Sequence, residues 1–159
     1  MEIKVGMADL NVCKSPDTIT TLGLGSCVGV VLWDSALKIC GMAHIMLPDS
    51  TAITNNSNIA KFADTGIEEV LRLLLEMGAK KERLVSKIAG GAQMFCANTT
   101  SPMLRVGERN VEAVKMKLKE LNIPLLAEDT GANHGRTVVF NPENGEYFIK
   151  AIGKEPKWI

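Results

Sequence analysis

A chain of 159 residues is long enough for one domain that buries its own core without metal or disulfide staples. Its 46% hydrophobic and 23% charged residues suit an ordinary globular protein, and 18 basic residues balance 18 acidic ones, so no broad field draws it to nucleic acid. The N-terminal run has no basic segment leading into an apolar one, and the longest apolar runs fall far short of the roughly 20 residues that span a bilayer, so a cytoplasmic chain without membrane insertion is expected.

Taken in order, residues 2–8 and 18–24 read as short strands, the second rich in Ile and Thr and closed by Gly23 and Gly25. Residues 28–33 are apolar on both faces, as a strand covered on both sides requires. A turn at 34–37 leads to a second strand over 38–47, ended by Pro48-Asp49, and 49–61 is a polar surface loop of the kind that borders sites. The first helix runs from Asp64 or Thr65 to Met77, with Ile67, Val70, Leu71, Leu74 and Met77 on one stripe and Gly78 as its stop. A strand over 84–89 precedes Gly90-Gly91. The second helix runs from Arg109 to Leu121, with Val111, Val114, Leu118 and Leu121 at helical spacing. Strands follow over 123–128, 137–140 and 147–152, the last two joined by a turn at 141–145. Many strands and two amphipathic helices, each needing a sheet to cover, predict a layered α+β domain spanning 1–159.

The chemistry converges on one place. Cys27 ends the glycine-rich run Thr-Leu-Gly-Leu-Gly-Ser-Cys (21–27), and His44, one of two histidines, follows in Gly-Met-Ala-His (41–44). A free thiol ionises near pH 8.5, so a cysteine nucleophile needs a base beside it. A hairpin loop centred between Ser35 and Ala36 would set Cys27 directly opposite His44, with Cβ atoms roughly 4.5–5.5 Å apart. A loop with one residue more or fewer would turn the two to opposite faces. Gly23 and Gly25 let the chain turn tightly and bring backbone close to a substrate, Gly25 and Ser26 are candidate substrate-binding residues, and the amides of Ser26 and Cys27 are candidate oxyanion donors. Thr21, Ser26 and Asp49 are local candidates for a group that orients the imidazole.

Other features have ordinary readings. Cys13, Cys27, Cys40 and Cys96 contain no Cys-x-x-Cys pair, and two histidines make no zinc pattern, so the expected state of most of these thiols is a small buried hydrophobe. Cys40 is a rival thiol but lacks a glycine turn. His134 reads as a solvent-exposed loop residue. Gly90-Gly91 is too short for a phosphate loop. Lys115, Lys117 and Lys119, interleaved with Glu112 and Glu120, form a solvated face.

The runs 21–28 and Met-Ala-His-Ile-Met-Leu-Pro-Asp (42–49) resemble the signature of CheD, the chemoreceptor glutamine deamidases of chemotaxis. The resemblance continues through 87–95, 106–114 and 126–131, with one departure at Ala132, where the family usually continues a glycine pair; altered loop detail is expected there. The resemblance implies an α/β sandwich of mostly antiparallel strands, similar to the catalytic domain of cytotoxic necrotizing factors. It also implies hydrolysis of glutamine side chains to glutamate on chemoreceptor cytoplasmic helices, with no metal or organic cofactor. By matching position, it makes Cys27 the nucleophile, His44 the base and Thr21 the orienting group. The phosphatase CheC is the implied partner. The competing readings are another thiol amidohydrolase or transglutaminase-like enzyme, and a non-catalytic adaptor in which Cys27 is structural.

Overall fold

The computed structural model describes residues 1–52, 56–93 and 105–159, so Cys96, residues 94–95 of the family-like run and 53–55 of the polar loop lie outside the described residues. The described strands are β1 (Glu2–Val5), β2 (Leu10–Lys14), β3 (Thr18–Leu24), β4 (Val28–Asp34), β5 (Ile39–Ile45), β6 (Val85–Gly90), β7 (Leu125–Thr130), β8 (Arg136–Asn141), β9 (Glu146–Lys150) and β10 (Lys157–Trp158). The helices are α1 (Ala63–Glu76) and α2 (Val106–Glu120). Two five-stranded sheets result, with orders β1-β3-β8-β9-β10 and β2-β5-β4-β6-β7. Pairing is antiparallel except between β1 and β3 and between β6 and β7. This is the layered α+β architecture expected.

Every residue of β5, and all but Trp33 in β4, is buried, because both faces of these strands are covered. Strand alternation divides their side chains between two cores. Val28, Val30, Leu32, Ala43 and Ile45 pack against Ile67, Val70 and Leu74 of α1 and Val114 and Leu118 of α2. On the other face, Val31, Cys40 and Met42 meet Ile19, Leu24, Val138, Phe140 and Tyr147 of the first sheet. The site residues lie in this second layer, between the sheets.

Three sequence expectations are corrected. Residues 2–8 do not form one strand: the Asp9 carboxylate accepts from the Gly6 amide (3.1 Å), Ala8 turns at φ 55°, and a further strand, β2, follows. The second helix starts three residues early, at Val106, because Gly107 packs against the backbone of Gly91 and Ala92, where a Cβ would stand 2.3 Å from the Ala92 oxygen. The β4–β5 register sets Gly29, not Cys27, opposite His44. The cause is the turn, which spans four residues, 35–38. The Asp34 carboxylate accepts from the Ala36 and Leu37 amides (3.0 and 3.4 Å) and from Arg83 (2.9 Å), while Lys38 takes φ 56°. The loop keeps an even number of residues, so the displacement is two positions and Cys27 stays on the face of His44 as its diagonal neighbour.

Candidate active site

Cys27 occupies a bend just before β4 and is 8% exposed. Diagonal neighbours on an antiparallel ladder sit roughly 7–8 Å apart, a gap that a thiol and an imidazole reach into. Gly29, directly opposite His44, leaves that gap open. A Cβ there would lie 2.7 Å from the Tyr147 hydroxyl, which donates to the Gly29 oxygen (2.9 Å).

His44 is wholly buried and is held from two sides. Its backbone N–H donates to the Asp9 oxygen (2.9 Å), and its Nδ1 lies 2.7 Å from the Thr21 Oγ1, which comes from the opposing sheet. The direction of that second bond can be derived. Thr21 has one hydroxyl proton, and it donates to the Val5 oxygen (2.8 Å). Oγ1 must therefore accept from His44, which places the ring proton on Nδ1 and the lone pair on Nε2. Nε2 is buried and has no hydrogen-bond partner among the described residues. Of the three local candidates for the orienting role, the structure brings only Thr21 to the ring. Asp49 is exposed and engages Thr51 instead (2.8 Å to its amide), and Ser26 makes no bond to His44.

Burial raises the Cys27 thiol pKa above its ordinary value. Burial also lowers that of His44, with Asp9 opposing weakly through its charge. Both effects favour an uncharged thiol beside an uncharged imidazole at neutral pH. The rival Cys40 lies fully buried opposite Cys13 on β2, and burial raises its pKa well above the ordinary thiol value. His134 is half-buried rather than solvent-exposed, and its Nδ1 has no partner among the described residues.

The bend at 25–27 is stitched from behind. The Gly25 oxygen accepts from the Ala92 amide and the Cys27 oxygen from the Gly91 amide (both 2.8 Å), while Asn110 of α2 donates through Nδ2 to the Ser26 oxygen (3.0 Å). The amides of Ser26 and Cys27 donate to no carbonyl among the described residues. Gly90 takes φ +113° and passes so close that a Cβ would stand 2.2 Å from the Cys27 oxygen. Sequence reasoning set Gly90-Gly91 aside as a failed phosphate loop and gave Asn110 no role. Their proximity to the bend carries no periodic signal. Among the described residues no group of three or more His, Cys, Asp or Glu side chains could hold a metal ion, and no helix is long and apolar enough to cross a membrane. Ala132, the departure from the family pattern, stands at φ 60°, the left-handed region that favours glycine.

A thiol and an imidazole on one face of the β4–β5 ladder, with an Nε2 and two bend amides that have no partner among the described residues, form an arrangement able to carry out thiol-dependent acyl chemistry. The chain belongs to the CheD family: the model for CheD chemotactic sensory transduction matches residues 46–151. A probable chemoreceptor glutamine deamidase CheD of Lachnoclostridium phytofermentans is 66% identical over 157 residues, 99% of this chain and 98% of its own length. A second, from Caldanaerobacter subterraneus subsp. tengcongensis, is 54% identical and covers 99% and 97%. The chemoreceptor glutamine deamidase CheD of Halalkalibacterium halodurans is 54% identical over 158 residues, covering 99% and 98%.

Proposed function

We propose that this chain, acting as one domain over 1–159, hydrolyses glutamine side chains of chemoreceptors to glutamate in the cytoplasm, with Cys27 as nucleophile, His44 as base and Thr21 as the group that orients the imidazole. The observation that carries the reading is the bond between Thr21 and His44 Nδ1, which leaves the Nε2 lone pair free on the face shared with Cys27. Family membership supplies the substrate class, since its relatives are named for that deamidation.

Nε2 takes the thiol proton as sulfur bonds to the carboxamide carbon, and the carbonyl π electrons move to oxygen. The amides of Ser26 and Cys27 donate to that oxyanion. Collapse breaks the C–N bond, and the imidazolium returns the proton to the departing ammonia. His44 then removes a proton from water, whose oxygen attacks the thioester. The C–S bond breaks, the sulfur is reprotonated, and a glutamate remains on the receptor. Each step uses groups of the chain and water alone. Gly25, left half-buried beside these amides, gives the glutamine side chain room to approach.

Incubation of the purified protein with a chemoreceptor cytoplasmic fragment, read by mass spectrometry, tests the reading. Wild type and Cys40→Ala convert glutamine to glutamate, whereas Cys27→Ala and His44→Gln do not. Conversion that persists in Cys27→Ala overturns the thiol mechanism. The phosphatase CheC, a partner suggested by the family resemblance, should co-elute with both wild type and Cys27→Ala if binding is independent of the thiol chemistry.

A further inference from the structure

Asn110 breaks the rules of its own surroundings. It sits in α2, where asparagine is a poor helix former, and is completely buried. Its Oδ1 has no hydrogen-bond partner among the described residues, a state that costs stability because the buried oxygen has lost its water. Its Nδ2, by contrast, spends both protons: one on the Ser26 oxygen (3.0 Å) and one on the Met46 oxygen (2.9 Å). That double donation also fixes which end of the amide is which, since the reverse orientation would set Oδ1 against two carbonyl oxygens. An unsatisfied buried atom beside two well-made bonds points to a local cost retained at a working site.

The two carbonyls belong to the segments that carry the reactive side chains. Ser26 immediately precedes Cys27, and Met46 lies two residues beyond His44. The Ser26 oxygen and the Cys27 N–H share one planar peptide unit, and this unit is trans, since the cis bond is at Ser15-Pro16. Their directions are therefore opposed: whatever pins the oxygen aims the N–H. The Gly25 and Cys27 oxygens are pinned by backbone amides of Ala92 and Gly91. The Ser26 oxygen alone of the three is pinned by a side chain.

Resting on the deamidase reading above, we infer that Asn110 is a positioning residue that aims the Cys27 amide at the oxyanion by holding the Ser26 carbonyl against α2, and ties that peptide to the end of the strand bearing His44. Asn110 touches neither substrate nor thiol. Its effect appears only when a carbonyl oxygen gains charge.

The test separates chemistry that forms an oxyanion from chemistry that does not. Alkylation of Cys27 by iodoacetamide joins sulfur to the methylene carbon as iodide leaves, with no charge developing on the carbonyl oxygen. Asn110→Leu, close in shape and free of the unsatisfied Oδ1, and Asn110→Ala are compared with wild type, with kcat expressed per alkylatable Cys27. Deletion of an oxyanion donor costs about 10²–10³ in kcat, so misaiming one should cost about ten- to a hundred-fold. The expected result is that loss in kcat, with KM and the alkylation rate each within about twofold of wild type. Unchanged kcat overturns the inference. So does a parallel fall in kcat and alkylation, or failure of both variants to fold, because either makes Asn110 a general structural tie. Cys27→Ala assayed alongside keeps the two proposals apart: if wild-type conversion does not depend on Cys27, the thiol mechanism proposed above fails, and if it does while the Asn110 variants keep full kcat, only this inference fails.

Discussion

Replacement of Thr21 by valine removes one oxygen and keeps the shape, so its consequences can be worked out bond by bond. Two hydrogen bonds disappear, from Oγ1 to the Val5 oxygen and from His44 Nδ1 to Oγ1. Each contributes a net ~0.5–1.5 kcal/mol, and the orphaned Nδ1–H, buried with the ring, adds ~1–3 kcal/mol. The expected destabilisation is ~2–6 kcal/mol, which for a domain of this size lowers Tm by about 4–24 °C. For the reaction, the bond that holds the proton on Nδ1 is worth ~1.5–4.5 kcal/mol including the orphan cost, or about ten- to a thousand-fold in the fraction of rings presenting Nε2 to the thiol. Thr21→Val should thus lose about that factor in kcat on a receptor fragment below its Tm, while Thr21→Ser, which restores the hydroxyl, should stay within about threefold of wild type. A folded Thr21→Val protein with kcat within twofold of wild type would refute the orienting role.

Four further expectations concern acidity and backbone geometry. Burial holds His44 below its ordinary pKa and Cys27 above its own, so kcat/KM should be flat through neutrality, with its acid limb below the ordinary histidine value of 6.5; an acid limb at or above that value would contradict the buried neutral imidazole. The same depression has a stability consequence: the unfolded chain takes up a proton that folded His44 refuses, so stability is full above about pH 6.5 and falls as pH drops through the folded value, and denaturant melts of His44→Gln should show a shallower fall. Gly90→Ala would place a Cβ 2.2 Å from the Cys27 oxygen and should displace the nucleophile, whereas Gly23→Ala, at φ +70° with open space around it, should cost only ~1–2 kcal/mol of backbone strain; equal melting and alkylation behaviour in the two variants would contradict this account. Ala132→Gly relieves a left-handed alanine and should raise Tm by about 2–6 °C, with an unchanged or lower Tm counting against strain at that turn.

What could be read from the sequence was local. The boundaries of β3 coincide with the expected 18–24 because β-branched residues end there at a glycine turn, and α1 follows from one apolar stripe and the Gly78 stop. Cys27, His44 and Thr21 were accessible through two short runs of residues and their resemblance to a family. The hairpin register was not, because it depends on a buried Asp34 that reaches Arg83, 49 positions away, while it caps its own turn. β2 escaped notice because Cys13, directly after Val12, interrupts the alternation of a five-residue run, and its partner, β5, is distant in sequence. Asn110 is the extreme case. It binds the carbonyls of residues 84 and 64 positions away, and a carbonyl is common to every residue, so no pattern of side chains announces the contact.

The positions of the three proposed catalytic groups bear on how the reaction starts. Thr21 comes from one sheet, His44 from the other, and Cys27 from the bend that enters β4, so the constellation exists only once the two sheets have docked. Docking also desolvates it, and desolvation acts on the two reactive groups in opposite directions, raising the thiol pKa and lowering that of the imidazole. A standing thiolate–imidazolium pair is therefore disfavoured in the free protein. In the proposed mechanism, the proton leaves sulfur only as sulfur bonds to a carbon whose oxygen is already held by the aimed amides. That coupling makes the thiol a poor target for adventitious alkylation at neutral pH, yet reactive toward a carboxamide that fits the bend. Selectivity then lies less in the sulfur than in the backbone behind it, where Ala92, Asn110 and Gly91 hold the three successive carbonyls of Gly25, Ser26 and Cys27.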